Sequence, residues 1–187
     1  QGESIVRDSG GQVWNVLSVG GVYNDGTNAS TTRAGIQGAL DNCQTSAYGG
    51  KVLFPPGIYA INAGLTLYNG SGNTESTRKP CILEGVGGGV DGSRTGASVI
   101  KWTGSAPGAT TYMLTMQGPQ SPGGGINWIT FDANNTSNVA GVLLDTISHL
   151  NSVGLTIMQS PVVGMRITVT STTDSGPGYG ACDNTFT

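Results

Sequence analysis

The stretch GGKVLFPPGIYAI, residues 49–61, constrains the fold most. Lys51-Val52-Leu53-Phe54 has the apolar content of a strand, and Pro55-Pro56-Gly57 stops it. Proline has no N–H to give to a ladder and fixes φ, so a strand does not run through two of them. Apolar sequence resumes at Ile58 and continues to Ile61. The two halves read as a hairpin-like pair of strands around a Pro-Pro-Gly turn. Upstream, Ile36, Ala39, Leu40 and Cys43 recur at i, i+3, i+4 and i+7, which is one face of a helix. The spacing predicts a short helix over 33–43, with Ser30, Thr31 and Thr32 as N-cap oxygens. Gly35 and Gly38 weaken it, so it needs a surface to pack on. Residues 16–61 therefore read as strand, polar turn, helix, glycine turn, strand, strand.

The rest of the chain alternates short apolar runs with turns. Strands are predicted over 65–68, 81–86, 99–103, 112–117, 126–132, 142–147, 153–158 and 165–169, with polar loops over 69–80 and 87–96. A weak repeat is visible: NWITFDANN and SVGLTIMQS align, and each precedes a glycine-led strand, GVLLD or GMRIT. The units lie about 25 residues apart, a solenoid-like period in which stacking builds the core. Ile129, Phe131, Leu144, Leu155, Ile157 and Ile167 are the expected inward residues. Composition agrees. The chain has 32 glycines but only 10% charged residues, against roughly a quarter in ordinary domains. Disorder would call for high charge and few β-formers.

Net charge is −3, and Arg78-Lys79 is the only adjacent basic pair. That disfavours nucleic acid as a partner, which needs a clustered positive footprint. No apolar run reaches bilayer-spanning length, so membrane insertion is not expected. Cys43, Cys81 and Cys182 are widely spaced. They read as buried thiols, with one disulfide plus a free thiol as the other reading. A single His and no Cys/His cluster argue against a zinc site, and no acidic cluster suits calcium. No cofactor or metal is expected.

One segment resembles a family. SVGGVYNDGTNASTTRAGIQGAL followed by GGKVLFPPGIY is similar, in order and spacing, to the N-terminal part of pectate-lyase-like proteins, where "YGAVGDGxTDDTxAIQxAL" precedes "GGxVxFPPGxY". Here Thr27-Asn28-Ala29-Ser30 follows Asp25-Gly26 in place of the family's acidic pair. The resemblance implies an all-β fold, a right-handed single-stranded parallel β-helix with a short N-terminal capping helix. It would occupy residues 13–187, truncated at its C-terminal end, after an arm or linker at 1–12. The resemblance further implies an extracellular or virion protein whose partner is a polysaccharide. Three functions stay open: a polysaccharide hydrolase or lyase, a homotrimeric tailspike-type module binding a surface glycan, and a structural or adhesive β-helix.

Candidate site residues follow from chemistry. Glycoside hydrolysis uses two carboxylates across the bond, and Asp132 and Asp145 each end a predicted strand. Both also suit the role of turn caps. Trp128 alternates against Ile129 and Phe131, which turns it outward as a possible sugar platform, whereas Trp102 turns inward. Arg166, between Met165 and Ile167, points outward and suits a sugar carboxylate. His149, in a turn, is a candidate acid/base or binding group.

Overall fold

The computed structural model describes residues 6–8, 11–68, 79–87, 96–117, 124–145, 147, 150–168 and 185–186. Among the described residues it is mostly β-strand, with one α-helix. In chain order come β1 (Val6–Asp8), β2 (Gly11–Asn15), a 3-10 turn (Val16–Ser18) and α1 (Ala29–Thr45). Then follow β3 (Gly50–Leu53), β4 (Gly57–Ile61), β5 (Leu65–Leu67), β6 (Cys81–Glu84), β7 (Ser98–Trp102) and β8 (Thr111–Gln117). The remainder are β9 (Gly124–Asn127), β10 (Thr130–Asp132), β11 (Val139–Asp145), β12 (Asn151–Ser152), β13 (Thr156–Met158), β14 (Met165–Thr168) and β15 (Thr185–Phe186).

The strands form three larger sheets, ordered β1-β2-β3-β6-β9, β13-β10-β7-β4 and β14-β11-β8-β5, and a small pair, β12-β15. The chain visits the three larger sheets in a fixed order. β3, β4 and β5 lie one in each; β6, β7 and β8 repeat the circuit, and so do β9, β10 and β11. Pairing is parallel throughout except between β1 and β2.

β3 and β4 are therefore not a hairpin. Lys51 pairs with Ile82 and Ile58 with Val99, each in the next circuit. The prolines explain the difference. They donate nothing, while the N–H groups on either side, Phe54 and Gly57, donate to Glu84 and Ala97 carbonyls one circuit on, at 2.8 and 2.9 Å. The segment turns a corner and keeps its parallel partner. Phe54 and Tyr59 meet edge to face inside that corner, with centroids 5.6 Å apart. The Tyr59 hydroxyl donates to the Pro55 carbonyl at 2.6 Å, and burial pushes its pKa up.

Inward residues stack in register. One column is Leu65, Leu114, Val142 and Met165; another is Tyr59, Ile100, Phe131 and Ile157. Ile129, Phe131 and Leu144 are buried, and Leu155 and Ile157 pack half-buried against the core. Ile167 differs from expectation. It continues the buried column of Met116 and Leu144 but is 45% exposed. β14 is the outer strand of its sheet among the described residues, so Ile167 has a neighbour on one side only.

Helix α1 buries Ile36, Ala39, Leu40 and Cys43 as the spacing predicts. It starts earlier than expected, and Ser30, Thr31 and Thr32 are inside it rather than capping it. The N-cap is Asn28 in the left-handed region, with no side-chain cap bond. The loop before it is held by Asp25, whose carboxylate accepts from the Thr27 hydroxyl at 2.6 Å and the Thr27 N–H at 2.9 Å. Those bonds, the hydroxyl first, hold its pKa below the ordinary value.

The flank of α1 covers the open edge of β5. Arg33 donates to the Gly64 carbonyl (2.7 and 3.1 Å), and Gln37 bonds both the Thr66 carbonyl and the Thr66 N–H (2.8 and 2.9 Å). Gln44 accepts from the Tyr68 N–H at 2.8 Å. Gly64, Thr66 and Tyr68 are alternate residues, so the helix answers the groups that a neighbouring strand would pair. Asp41 accepts from the amides of both Gln37 and Gln44, at 2.9 and 3.0 Å, and orients the pair.

Cys43 and Cys81 form a disulfide, Cα atoms 6.1 Å apart, which corrects the reading of these two as buried thiols. Cys43 lies on the apolar helix face and Cys81 on the inward register of β6, so packing the helix on the strands brings them together. Cys182 lies outside the described residues.

Two outcomes are expected from urea unfolding followed by circular dichroism. Gln37→Ala strips both Thr66 bonds and lowers stability by about 2 kcal/mol, at roughly 1 kcal/mol per bond. A Cys43→Ser, Cys81→Ser double variant, opening a loop with a sequence separation of 38, loses about 4 kcal/mol on the chain-entropy account.

Candidate functional site

Asp132 and Asp145 close β10 and β11 and so belong to different sheets. Asp132 has no exposed surface. It accepts from the Asn134 N–H at 2.9 Å and lies 4.0 Å from the Lys101 ammonium, its strand neighbour in β7. That is the geometry of a turn cap, the second role its position suggested. Asp145 is 3% exposed and accepts from the side-chain amide of Gln117, its register partner, at 2.9 Å. Each carboxylate is engaged by its own sheet.

Arg166 is exposed on β14, continuing the outward row of Thr115 and Leu143. Trp128 lies at the corner between β9 and β10, away from that sheet. His149 lies outside the described residues. Trp102 is buried, its indole N–H donating to the Gly104 carbonyl at 3.0 Å.

Trp128 gathers the most chemistry around it. It is 45% exposed and adopts a left-handed backbone conformation, φ 55°, which is uncommon for a bulky residue. Its N–H donates to the Val153 carbonyl at 2.8 Å. Its six-membered ring lies on the backbone of Gly154, where a Cβ would overlap three of its carbons. The ring is packed on glycine, and close to half of the residue stays exposed.

Polar side chains cluster on the outer face of the first sheet, up to the strand end that precedes Trp128. Leu53, Glu84 and Asn127 share one register column, and Lys51 lies beside it. Glu84 Oε2 accepts from the Asn127 amide at 3.2 Å and lies 3.8 Å from Lys51 Nζ. Asn127 Oδ1 accepts from the Val153 N–H at 3.1 Å. Both ends of the Asn127 amide are thus used, and residues 127–128 are tied to Val153 by backbone and side chain alike. Comparisons with protein-family models, with curated proteins and with solved structures give no match to this chain.

Glu84 and Lys51 were not singled out from the sequence. The alternation in Cys81-Ile82-Leu83-Glu84 does place Glu84 outward, but its neighbour Asn127 is 43 residues away and becomes visible only with the register of β6 and β9.

A cavity of about 670 Å³ opens at another corner, between Asn62, Gly64, Trp102, Gly104, Ser105 and Thr111. Among the described residues no ionisable side chain lines it. Among the described residues no group of three or more His, Cys, Asp or Glu comes together to hold a metal, and no helix is long and apolar enough to cross a membrane.

Asp132 shares its strand with a buried orphan. The Thr130 hydroxyl is the one buried side-chain polar atom without a hydrogen-bond partner among the described residues. Thr130→Val keeps the shape and removes the desolvated oxygen, so stability rises by about 1 kcal/mol, read as a higher urea midpoint at unchanged slope.

Proposed function

We propose that the protein is a right-handed parallel β-helix that acts outside the cell or on a virion and binds a polysaccharide on its flank at Trp128. The fixed order in which the chain visits three parallel-paired sheets supports the helical winding, and the resemblance of residues 18–59 to pectate-lyase-like proteins supports its hand. The Cys43–Cys81 disulfide supports an oxidising compartment.

The observation that carries the functional reading is Trp128 itself. An exposed indole seated on Gly154, with its backbone tied to Val153, suits the C–H face of a pyranose, and a ring already held in place pays little ordering cost on binding. Asn127 immediately precedes Trp128, and Glu84 and Lys51 continue the polar cluster from it on the same sheet. The reading is one of binding rather than bond cleavage, because Asp132 and Asp145 are buried, internally bonded and in different sheets.

Affinity electrophoresis through gels containing individual polysaccharides tests this. The native chain is retarded by at least one, and Trp128→Ala weakens that retardation about tenfold, the factor that 1.4 kcal/mol carries, with an unchanged far-UV spectrum. Retardation indifferent to Trp128, or no retardation in any gel, would falsify the proposal.

A further inference from the structure

The chain turns from the second sheet to the third through residues 62–64, between β4 and β5, and one circuit on through residues 103–110, between β7 and β8. The second turn is longer, and its start stacks on the first. The Thr103 N–H donates to the Ile61 carbonyl at 2.8 Å. Gly104 then lies so flat on Asn62 that an added Cβ would stand 2.9 Å from the Asn62 Cα. Beyond Gly104 the extra length has no counterpart in the shorter turn, and the cavity of about 670 Å³ opens between the two. That lies within the roughly 300–1,000 Å³ of small-molecule sites. We infer that this cavity is a second saccharide site, which takes a pyranose ring through its hydroxyl groups.

The walls are held by bonds within the protein. The Trp102 indole N–H donates to the Gly104 carbonyl at 3.0 Å, and the Asn138 amide, one circuit on, donates to the Pro107 carbonyl at 2.9 Å. Arg33 fixes the Gly64 carbonyl at 2.7 Å. A ligand therefore meets a preformed cleft.

The lining is matched to a sugar. Asn62, Thr103 and Ser105 are exposed, and among the described residues their side chains have no hydrogen-bond partner. An amide and two hydroxyls each both donate and accept. A sugar hydroxyl also does both, so these groups answer it in either sense. Ala63, Ala106 and Pro107 add apolar wall for the C–H positions of the ring. This inference shares only its ligand class with the reading of Trp128, which lies at the corner between the first and second sheets. Two sites at separate corners make the chain bivalent for a polysaccharide long enough to reach both.

Isothermal titration of the full chain with maltose, cellobiose, lactose and mannobiose tests this, with inorganic phosphate as the rival ligand. A Trp128→Ala chain is expected to bind at least one disaccharide. Adding Asn62→Ala weakens that binding about tenfold at an unchanged urea midpoint, because the Asn62 side chain bonds nothing in the protein. Adding Ala63→Trp instead fills the cleft and removes binding; if that variant does not fold, Asn62→Ala carries the test. Loss of all disaccharide binding with Trp128→Ala alone overturns the second site and leaves the first standing. Binding that responds to Asn62 but in no gel or titration to Trp128 does the reverse. Phosphate competing with the sugar at the cleft overturns the ligand class. Binding in the Trp128→Ala chain that ignores Asn62 and Ala63 overturns the site, as does no binding of any disaccharide.

Discussion

Every strand that follows α1 depends on a backbone partner one circuit away. Lys51 meets Ile82, Ile58 meets Val99, and Leu65 meets Leu114. Such ladders satisfy the main chain, and they bring like-facing residues into columns so that a short strand with two or three inward side chains can share a core. No strand here could bury that face alone. The same dependence makes the first strand of each sheet a problem, because it has a partner on one side only.

Helix α1 answers that problem for β5. Its apolar face closes the end of the core, while Arg33, Gln37 and Gln44 reach the β5 edge and bond what a strand would have bonded. Asp41 holds the two glutamines in position, and the Cys43–Cys81 disulfide ties the helix to the next circuit. Two glycines and an uncapped N-terminus make this a weak helix in isolation. Its stability is tertiary, and in turn it ends the sheet.

The site grows from the same geometry. At the corner after β9, the chain needs a sharp turn, and Trp128 takes it with a left-handed backbone while Gly154 leaves room for the ring one circuit on. Stacking carries Glu84, Asn127 and Val153 into one tied group, and Gly154 seats the indole. The carboxylates Asp132 and Asp145 went the other way. Their positions at strand ends drew them into turn and ladder bonds, out of reach of the solvent.

What the sequence determined by itself is direction. Helical spacing named the buried face of α1, and alternation turned Trp102 inward and Arg166 outward, as found. Trp128 is exposed for another reason: the strand expected over 126–132 breaks there into two strands of different sheets, and Trp128 sits at the corner. Pro55-Pro56-Gly57 marked a break in the strand, because proline chemistry is local. What only the tertiary structure decided is partnership. Whether that break is a hairpin or a corner, whether Cys43 meets Cys81, whether Glu84 stands beside Asn127 and whether Ile167 is covered all depend on which strand lies next. Parallel pairing joins residues a whole circuit apart, and the intervening loops set the register, so local periodicity carries no trace of it.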